Sequence, residues 1–292
     1  MSEAKYPDWS RLLMDAWAKG IQNMKEEPLD EALKEIDIQM RKSFLEESQS
    51  DETPIIRPSS GTVCAAQSYY IKNEFPREPM PPTIMATFVM GHFVHEITYA
   101  ALRSGLPEGV LIDTEIACET GFPEGCNQKG TADLVLSLLD PELMPEGTPL
   151  HILGDVKTMT GFGFRGHKSA GYDQLGSDCW GHVSQLSTYS HSPTLTERYP
   201  GIEKAGALLI AANKESPQMG IWPRHVAPRA IEEARERTLK NINVSKDEHP
   251  GADLFNKYGS EVAFYCGASG RKGYCPYVKR CQKERRNNDY VK

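Results

Sequence analysis

Two short segments decide how this chain is read: Gly130-Thr-Ala-Asp133-Leu-Val-Leu136 and Ile152-Leu-Gly-Asp155-Val-Lys157-Thr158. Both are aliphatic, and the stretches around them (Gly130–Leu138 and His151–Thr158) are bounded by turn-forming residues, so each predicts a β-strand. Alternation along the second puts Asp155 and Lys157 on one face with Leu153, while Ile152 and Val156 face the other way. In the first, Ala132, Leu134 and Leu136 form an apolar face and Asp133 projects from its opposite side. Charges in the middle of apolar strands are costly unless a partner or a metal satisfies them. If the two strands pair, two carboxylates and an ammonium converge. Oxygen ligands of this kind suit a hard divalent ion such as Mg²⁺ or Mn²⁺. Such an ion lowers the pKa of a bound water and stabilises charge on a phosphate, and Lys157 is placed to orient or help deprotonate that water. Taken alone, Asp-x-Lys is also what an ion pair on an edge strand looks like.

Outward from these strands, Val110–Cys118 is a third strand candidate and carries Glu115. A helix over Pro82–Ser104 carries His92 and His95, and a helix over Ser177–Ser190 sets Gln185 and Tyr189 one turn apart on one face. A further helix runs from Ser59 through Cys64 and Tyr70. Ala205–Ala212 reads as a buried strand, Met219–Trp222 as its hairpin partner, and Pro228–Ile242 as a helix with proline in its first turn. The glycine-rich stretch Gly161–Gly176 carries Phe162, Phe164, Arg165, His167 and Lys168. It predicts a loop, one that either lies over single-stranded nucleic acid or is an ordinary surface connection. The order of elements predicts an α/β fold with a central mixed β-sheet flanked by helices.

The N-terminal part is helical by periodicity: Trp9, Leu12, Leu13, Ala16, Trp17 and Ile21, then Leu29, Leu33, Ile36, Met40 and Phe44. The polar stretch Glu46–Thr53 marks a boundary. Residues 1–53 thus form an acidic helical extension, 54–250 the core, and 251–292 a basic segment rich in cysteine. The chain has 292 residues with 33 Lys plus Arg against 40 Asp plus Glu, a net charge of −7. That balance is unevenly spread: residues 1–53 hold 13 acids and 7 bases, whereas 271–292 hold 8 bases and 2 acids. The basic end suits a polyanion and equally suits a solvated tail. No apolar run is long enough to cross a bilayer, and the start lacks the pattern of a secretory signal, so a cytoplasmic protein is expected. No Gly-x-x-x-x-Gly-Lys-Ser/Thr motif occurs, so an ATP-driven motor, if one is used, is a separate protein.

In this order, with Glu115 in a strand that can face the same cleft, His95, Asp133, Asp155, Lys157, Gln185 and Tyr189 resemble the PD-(D/E)XK nuclease superfamily, and within it the RecB-like exonuclease branch. The resemblance covers roughly residues 57–192 and implies a restriction-endonuclease-like core. By it, His95, Asp133, Asp155 and the Val156 carbonyl hold the catalytic Mg²⁺ or Mn²⁺, Lys157 positions the attacking water, and Gln185 and Tyr189 shape the site and meet DNA. The implied activity is a DNA exonuclease acting on single strands or ends in recombination, replication or repair, alongside a separate helicase or recombination protein. The alternative is a non-catalytic subunit that binds DNA ends with the same fold.

Cys64, in Thr62-Val-Cys64-Ala-Ala-Gln-Ser-Tyr69-Tyr70, resembles the first-cysteine segment of the iron–sulfur members of that branch, the CRISPR-associated exonucleases and AddB-type subunits. Cys275-Pro-Tyr-Val-Lys-Arg-Cys281 resembles their terminal Cys-x5-Cys. The resemblance therefore implies a 4Fe–4S cluster on Cys64, Cys266, Cys275 and Cys281, with a small zinc site as the other occupant these thiols suit. One spacing departs from the family: eight residues separate Cys266 from Cys275, where the family has two. Cys118, Cys126 and Cys179 follow no such pattern and read as core or surface thiols.

Overall fold

Five strands and eight helices carry the described part of the chain. The computed structural model describes residues 6–44, 64–79, 82–119, 129–169, 182–216, 218–224, 232, 235–236, 239–251 and 275–286. The helices are α1 (Tyr6–Gln22), α2 (Glu26–Phe44), α3 (Ala65–Lys72), α4 (Pro82–Gly105), α5 (Gly161–Ser169), α6 (His182–Ser190), α7 (Pro193–Arg198) and α8 (Val278–Arg286). The strands are β1 (Val110–Glu119), β2 (Lys129–Leu138), β3 (His151–Met159), β4 (Ala207–Asn213) and β5 (Met219–Arg224), side by side in chain order. All neighbours are antiparallel except β3 and β4, which are parallel. The parallel pair needs a long crossover, and α5, α6 and α7 supply it. The expected α/β class with a mixed sheet is therefore what the chain forms, and every expected strand lies within two residues of its predicted ends.

Aliphatic alternation lets both faces of the sheet be covered. On one, Trp9, Leu13, Tyr99 and Leu102 from α1 and α4 pack against Leu134, Leu136, Ile152, Val156, Leu208 and Ile210. On the other, Leu186 and Tyr189 of α6 and Leu195 of α7 pack with Val135, Leu153 and Ala207. Ile152 and Val156 thus lie opposite Leu153, as alternation requires. Ala132 departs from the expected face: it packs with Ile116 and Cys118 rather than with Leu134 and Leu136. The strand's regular ladder breaks at the intervening Asp133, and with it the alternation.

The N-terminal helices belong to the same core. Trp9 and Leu13 are fully buried in it, and the Trp9 indole donates to the Pro149 carbonyl at 3.3 Å. Two glycines let α1 lie against α4. A Cβ on Gly20 would fall 1.8 Å from the Ala101 carbonyl oxygen, and one on Gly105 would fall 1.8 Å from that of Ala16. Among the described residues, no helix is long and apolar enough to cross a membrane.

Two local expectations are corrected. Gly161–Ser169 is a helix, not a loop. Thr160 caps it, its hydroxyl accepting from the Gly163 amide at 3.3 Å, and the Glu215 carboxylate accepts from the Gly161 amide at 2.9 Å. Phe164 is buried against Trp222, ring centroids 5.0 Å apart. Capping and burial together outweigh the helix-breaking tendency of three glycines. Cys64 stands just ahead of α3 in extended backbone rather than within a helix. Residues 59–63, 170–181 and most of Pro228–Ile242 lie outside the described residues.

The close approach of α1 and α4 makes a sign-sensitive prediction. In an exposed helix, Gly→Ala stabilises by about 1 kcal/mol. Here Gly20→Ala and Gly105→Ala are each expected to destabilise by about 2–3 kcal/mol through overpacking. Urea unfolding measures this, and a midpoint at or above wild type would contradict the packing.

Candidate functional site

β2 and β3 pair from Ser137–His151 up to Leu134–Gly154 and then part. The next residue in each direction is an acid, Asp133 on β2 and Asp155 on β3. Where a ladder bond would continue, the Val156 amide instead donates to the Asp133 side chain, at 2.8 Å to Oδ2. The Lys157 ammonium lies between the carboxylates, with Nζ 2.6 Å from Asp155 Oδ1 and 3.6 Å from Asp133 Oδ2. On the other side of β2, every position of β1 pairs except Glu115, opposite Asp133. Glu115 has φ +51°, in the left-handed region. Such backbone costs a non-glycine residue roughly 1–3 kcal/mol and persists only where its surroundings enforce it.

Helix α4 completes the cluster. His95 Nδ1 lies 3.9 Å from Asp133 Oδ2, and the Val156 carbonyl is within hydrogen-bond reach of the same imidazole. One turn later, the Tyr99 hydroxyl donates to Glu115 Oε1 at 2.9 Å and lies 3.4 Å from His95 Nδ1. Candidate ligand atoms of His95, Glu115 and Asp133 all fall within 4.8 Å of one another. Tyr99 was not among the residues singled out from sequence. Its signal was its place four residues after His95, on the same helix face.

Electrostatics set the protonation states. Burial pulls the His95 imidazole down to about 4 against the opposing pull of Asp133, so the ring is neutral at physiological pH with a lone pair to offer. Burial pushes the Asp155 carboxyl up to about 7, with Lys157 opposing and Asp133 adding to the shift. Burial disfavours the Lys157 ammonium as well, but the two aspartates outweigh it and hold the amine charged. Burial also raises Glu115 and brings Glu96 to about 7, where Glu115 and Glu35 add to the rise. Asp155 Oδ2 is buried and has no hydrogen-bond partner. An oxygen in that position carries the full cost of lost hydration unless a cation takes it. The donor set of carboxylates, one imidazole and one carbonyl fits a hard divalent ion.

No protein-family model matches the chain, and no curated protein matches it in sequence. The arrangement of residues therefore carries the functional reading by itself. Tyr189 on α6 reaches over β2: a Cβ at Gly130 would lie 2.6 Å from its hydroxyl, so only glycine fits beneath it. Gln185 hydrogen-bonds to Tyr189, and the phenol is raised by burial, then by Cys118, Asp155 and Asp133, which puts it beside the carboxylates. The structure brings His95, Glu115, Asp133, Asp155 and Lys157 together where β2 and β3 part, with Tyr189 near the aspartates and Gln185 bonded to Tyr189.

A separate hydrophobic group forms between α3 and α8. Cys64, Cys275 and Cys281 all pack against the buried group Ala66, Tyr70 and Tyr277, although Cys64 and Cys281 are 217 positions apart. Cys266 lies outside the described residues, as do Cys126 and Cys179. Three thiols thus edge one small hydrophobic group, and thiols are a donor type that suits iron–sulfur or zinc. Cys118 differs: it is buried in the sheet core, with burial pushing its thiol up to about 11.

The raised Asp155 carboxyl predicts a pH signature. Its value of about 7 exceeds the ordinary 3.8, so protonation favours the metal-free fold as pH falls through 7 toward 4. A divalent ion that took Asp155 as a ligand would have to displace that proton. The rise in Tm produced by Mn²⁺ is therefore expected to be large at about pH 8 and to shrink at about pH 5.5. Equal shifts at both would contradict the assignment of Asp155 as a ligand.

Proposed function

We propose that this chain is a metal-dependent deoxyribonuclease of the PD-(D/E)XK type, an exonuclease that hydrolyses phosphodiester bonds of single-stranded DNA or DNA ends. The observation that carries the reading is the unpartnered, buried Asp155 Oδ2, on a carboxylate bonded to the Lys157 ammonium that also reaches Asp133 where two strands separate. The Asp155–Lys157 pair leaves one buried carboxylate oxygen without a donor, which a bound cation would satisfy. The order helix, three antiparallel strands, crossover, parallel strand supports a restriction-endonuclease-like core.

On this reading, His95, Asp133, Asp155 and the Val156 carbonyl hold Mg²⁺ or Mn²⁺, with Glu115 held ready by Tyr99. The bound ion would supply charge for the phosphate and acidity for a water. Lys157, fixed by both aspartates, would donate to such a water and set its line of attack. Gln185 and Tyr189 wall the opposite side. Cys64, Cys266, Cys275 and Cys281 hold a 4Fe–4S cluster that ties the C-terminal segment to α3. A separate helicase or recombination protein delivers the strand.

Asp155→Ala and Lys157→Ala are each expected to lower Mn²⁺-dependent cleavage of end-labelled DNA about a hundredfold or more while circular dichroism stays native. Wild-type rates in either variant would contradict the mechanism, and DNA binding without product in the wild type would favour an end-binding subunit. Anaerobically purified protein is expected to be brown with near-equal iron and sulfide, and Cys275→Ala to lose the iron. Colourless protein with stoichiometric zinc would reject the cluster.

A further inference from the structure

We propose that Glu115 is a further ligand of the divalent ion and that Tyr99 is the positioning residue that sets it there. The proposal deepens the metal-dependent reading of this site and rests on it. Its origin is a break in the alternation of β1. Val110 and Ile112 pack in the core that faces α1 and α4, whereas Ile116 and Cys118 pack in the core that faces α6. All four are even-numbered, so an unbroken strand would keep them on one face. It would also put Glu115 with Asp113, whose carboxylate takes the Tyr199 hydroxyl at 2.6 Å on the α6 side. The faces switch between Ile112 and Ile116. Glu115, at φ +51° and outside the β1 ladder, is where the backbone turns.

That turn delivers the Glu115 carboxylate to the α4 side. There Tyr99, 1% exposed, donates its hydroxyl proton to Oε1 at 2.9 Å. Tyr99 is itself fixed by the core it shares with Trp9, Leu13 and Leu102. Burial, with Asp133 and Glu115 adding to it, holds the phenol above its ordinary range, so the hydroxyl stays a donor. A carboxylate has about four lone pairs, and one hydrogen bond takes one of them. Ligand carboxylates commonly accept such an outer bond, which orients them toward the ion.

A cation accounts for what the turn achieves. Candidate ligand atoms of Glu115, Asp133 and His95 come within 4.8 Å of one another from β1, β2 and α4. Two carboxylates brought that close repel, and a neutral hydroxyl does not cancel the repulsion. A divalent ion shared by both turns it into attraction.

The test is calorimetric titration with Mn²⁺ of the full chain dialysed free of divalent ions, each variant first shown to be folded by circular dichroism. Tyr99→Phe keeps the ring and removes the donor. It is expected to weaken Mn²⁺ binding about tenfold, the loss typical when an outer partner of a ligand is removed. Glu115→Gln is expected to weaken it at least as much. In the double variant the Tyr99→Phe loss should vanish, because a residue acting only through Glu115 has nothing left to position. Tyr199→Phe, which takes the matching hydroxyl from Asp113 on the other face, is expected to leave the affinity unchanged. Wild-type affinity in Glu115→Gln or Tyr99→Phe overturns the proposal. So does an undiminished Tyr99→Phe loss in the double variant, or an equal loss in Tyr199→Phe. If Tyr99→Phe does not fold, Glu115→Asp decides: its shorter reach is expected to weaken Mn²⁺ binding about tenfold, and wild-type affinity overturns the proposal. Cleavage of end-labelled DNA is scored separately. Protein that shows these losses yet cuts no DNA refutes the nuclease reading and leaves Glu115 a ligand; protein that cuts while Glu115→Gln binds Mn²⁺ normally does the reverse.

Discussion

The parting of β2 and β3 after Leu134–Gly154 is the constraint on which the site depends. A continuous ladder would occupy the backbone groups at Asp133 and Val156 and press the two acids onto a regular pleat. Because the strands separate, the Asp133 carboxylate fills the gap and takes the Val156 amide. That one bond ties the strands at their divergence, beside the Lys157 amine that pairs with both aspartates. Glu115 answers on the far side, where left-handed backbone removes it from the β1 ladder at the same level. Two interruptions flank one aspartate, and both open toward the same helix.

That helix is held by packing remote from the charges. α4 brings His95 and Tyr99 to the strands only if it lies at the right height, and Gly20 and Gly105 set that height by letting α1 approach closely. The acidic N-terminal pair thus acts at a distance on the site through the seat of α4. At the other end of the chain a polar clasp does similar work. The Tyr70 hydroxyl donates to Glu284 at 2.5 Å and contacts His249 at 2.9 Å, while Arg280 lies over Phe75 at 4.0 Å. Glu78 adds a backbone bond to Pro276 and accepts from the Lys279 amide. These contacts join α3 and α8 beside the cysteines.

Much of this was legible because strand alternation and helix spacing are local. Asp155 and Lys157 share a face by period alone, and His95 to Tyr99 is one helical turn. What was not legible came from non-local effects. Ala132 leaves the face of Leu134 because the ladder is interrupted at Asp133, an event that depends on β1 and β3 together. Gly161–Ser169 turns helical because Glu215, 54 positions later, caps it and Trp222 covers Phe164. The union of residues 1–44 with the core was hidden behind a polar stretch at Glu46–Thr53 that reads as a boundary. The grouping of Cys64 with Cys275 and Cys281 was expected only through the family resemblance, since no local periodicity links positions 217 apart.

The most direct test of the account is anomalous diffraction from crystals of the wild-type protein soaked in Mn²⁺. One strong peak is expected between β2, β3 and α4, within about 2.0–2.6 Å of oxygens from Asp133, Asp155 and the Val156 carbonyl. Manganese bound elsewhere, or a site left empty with Asp155 Oδ2 turned to a protein donor, would contradict it.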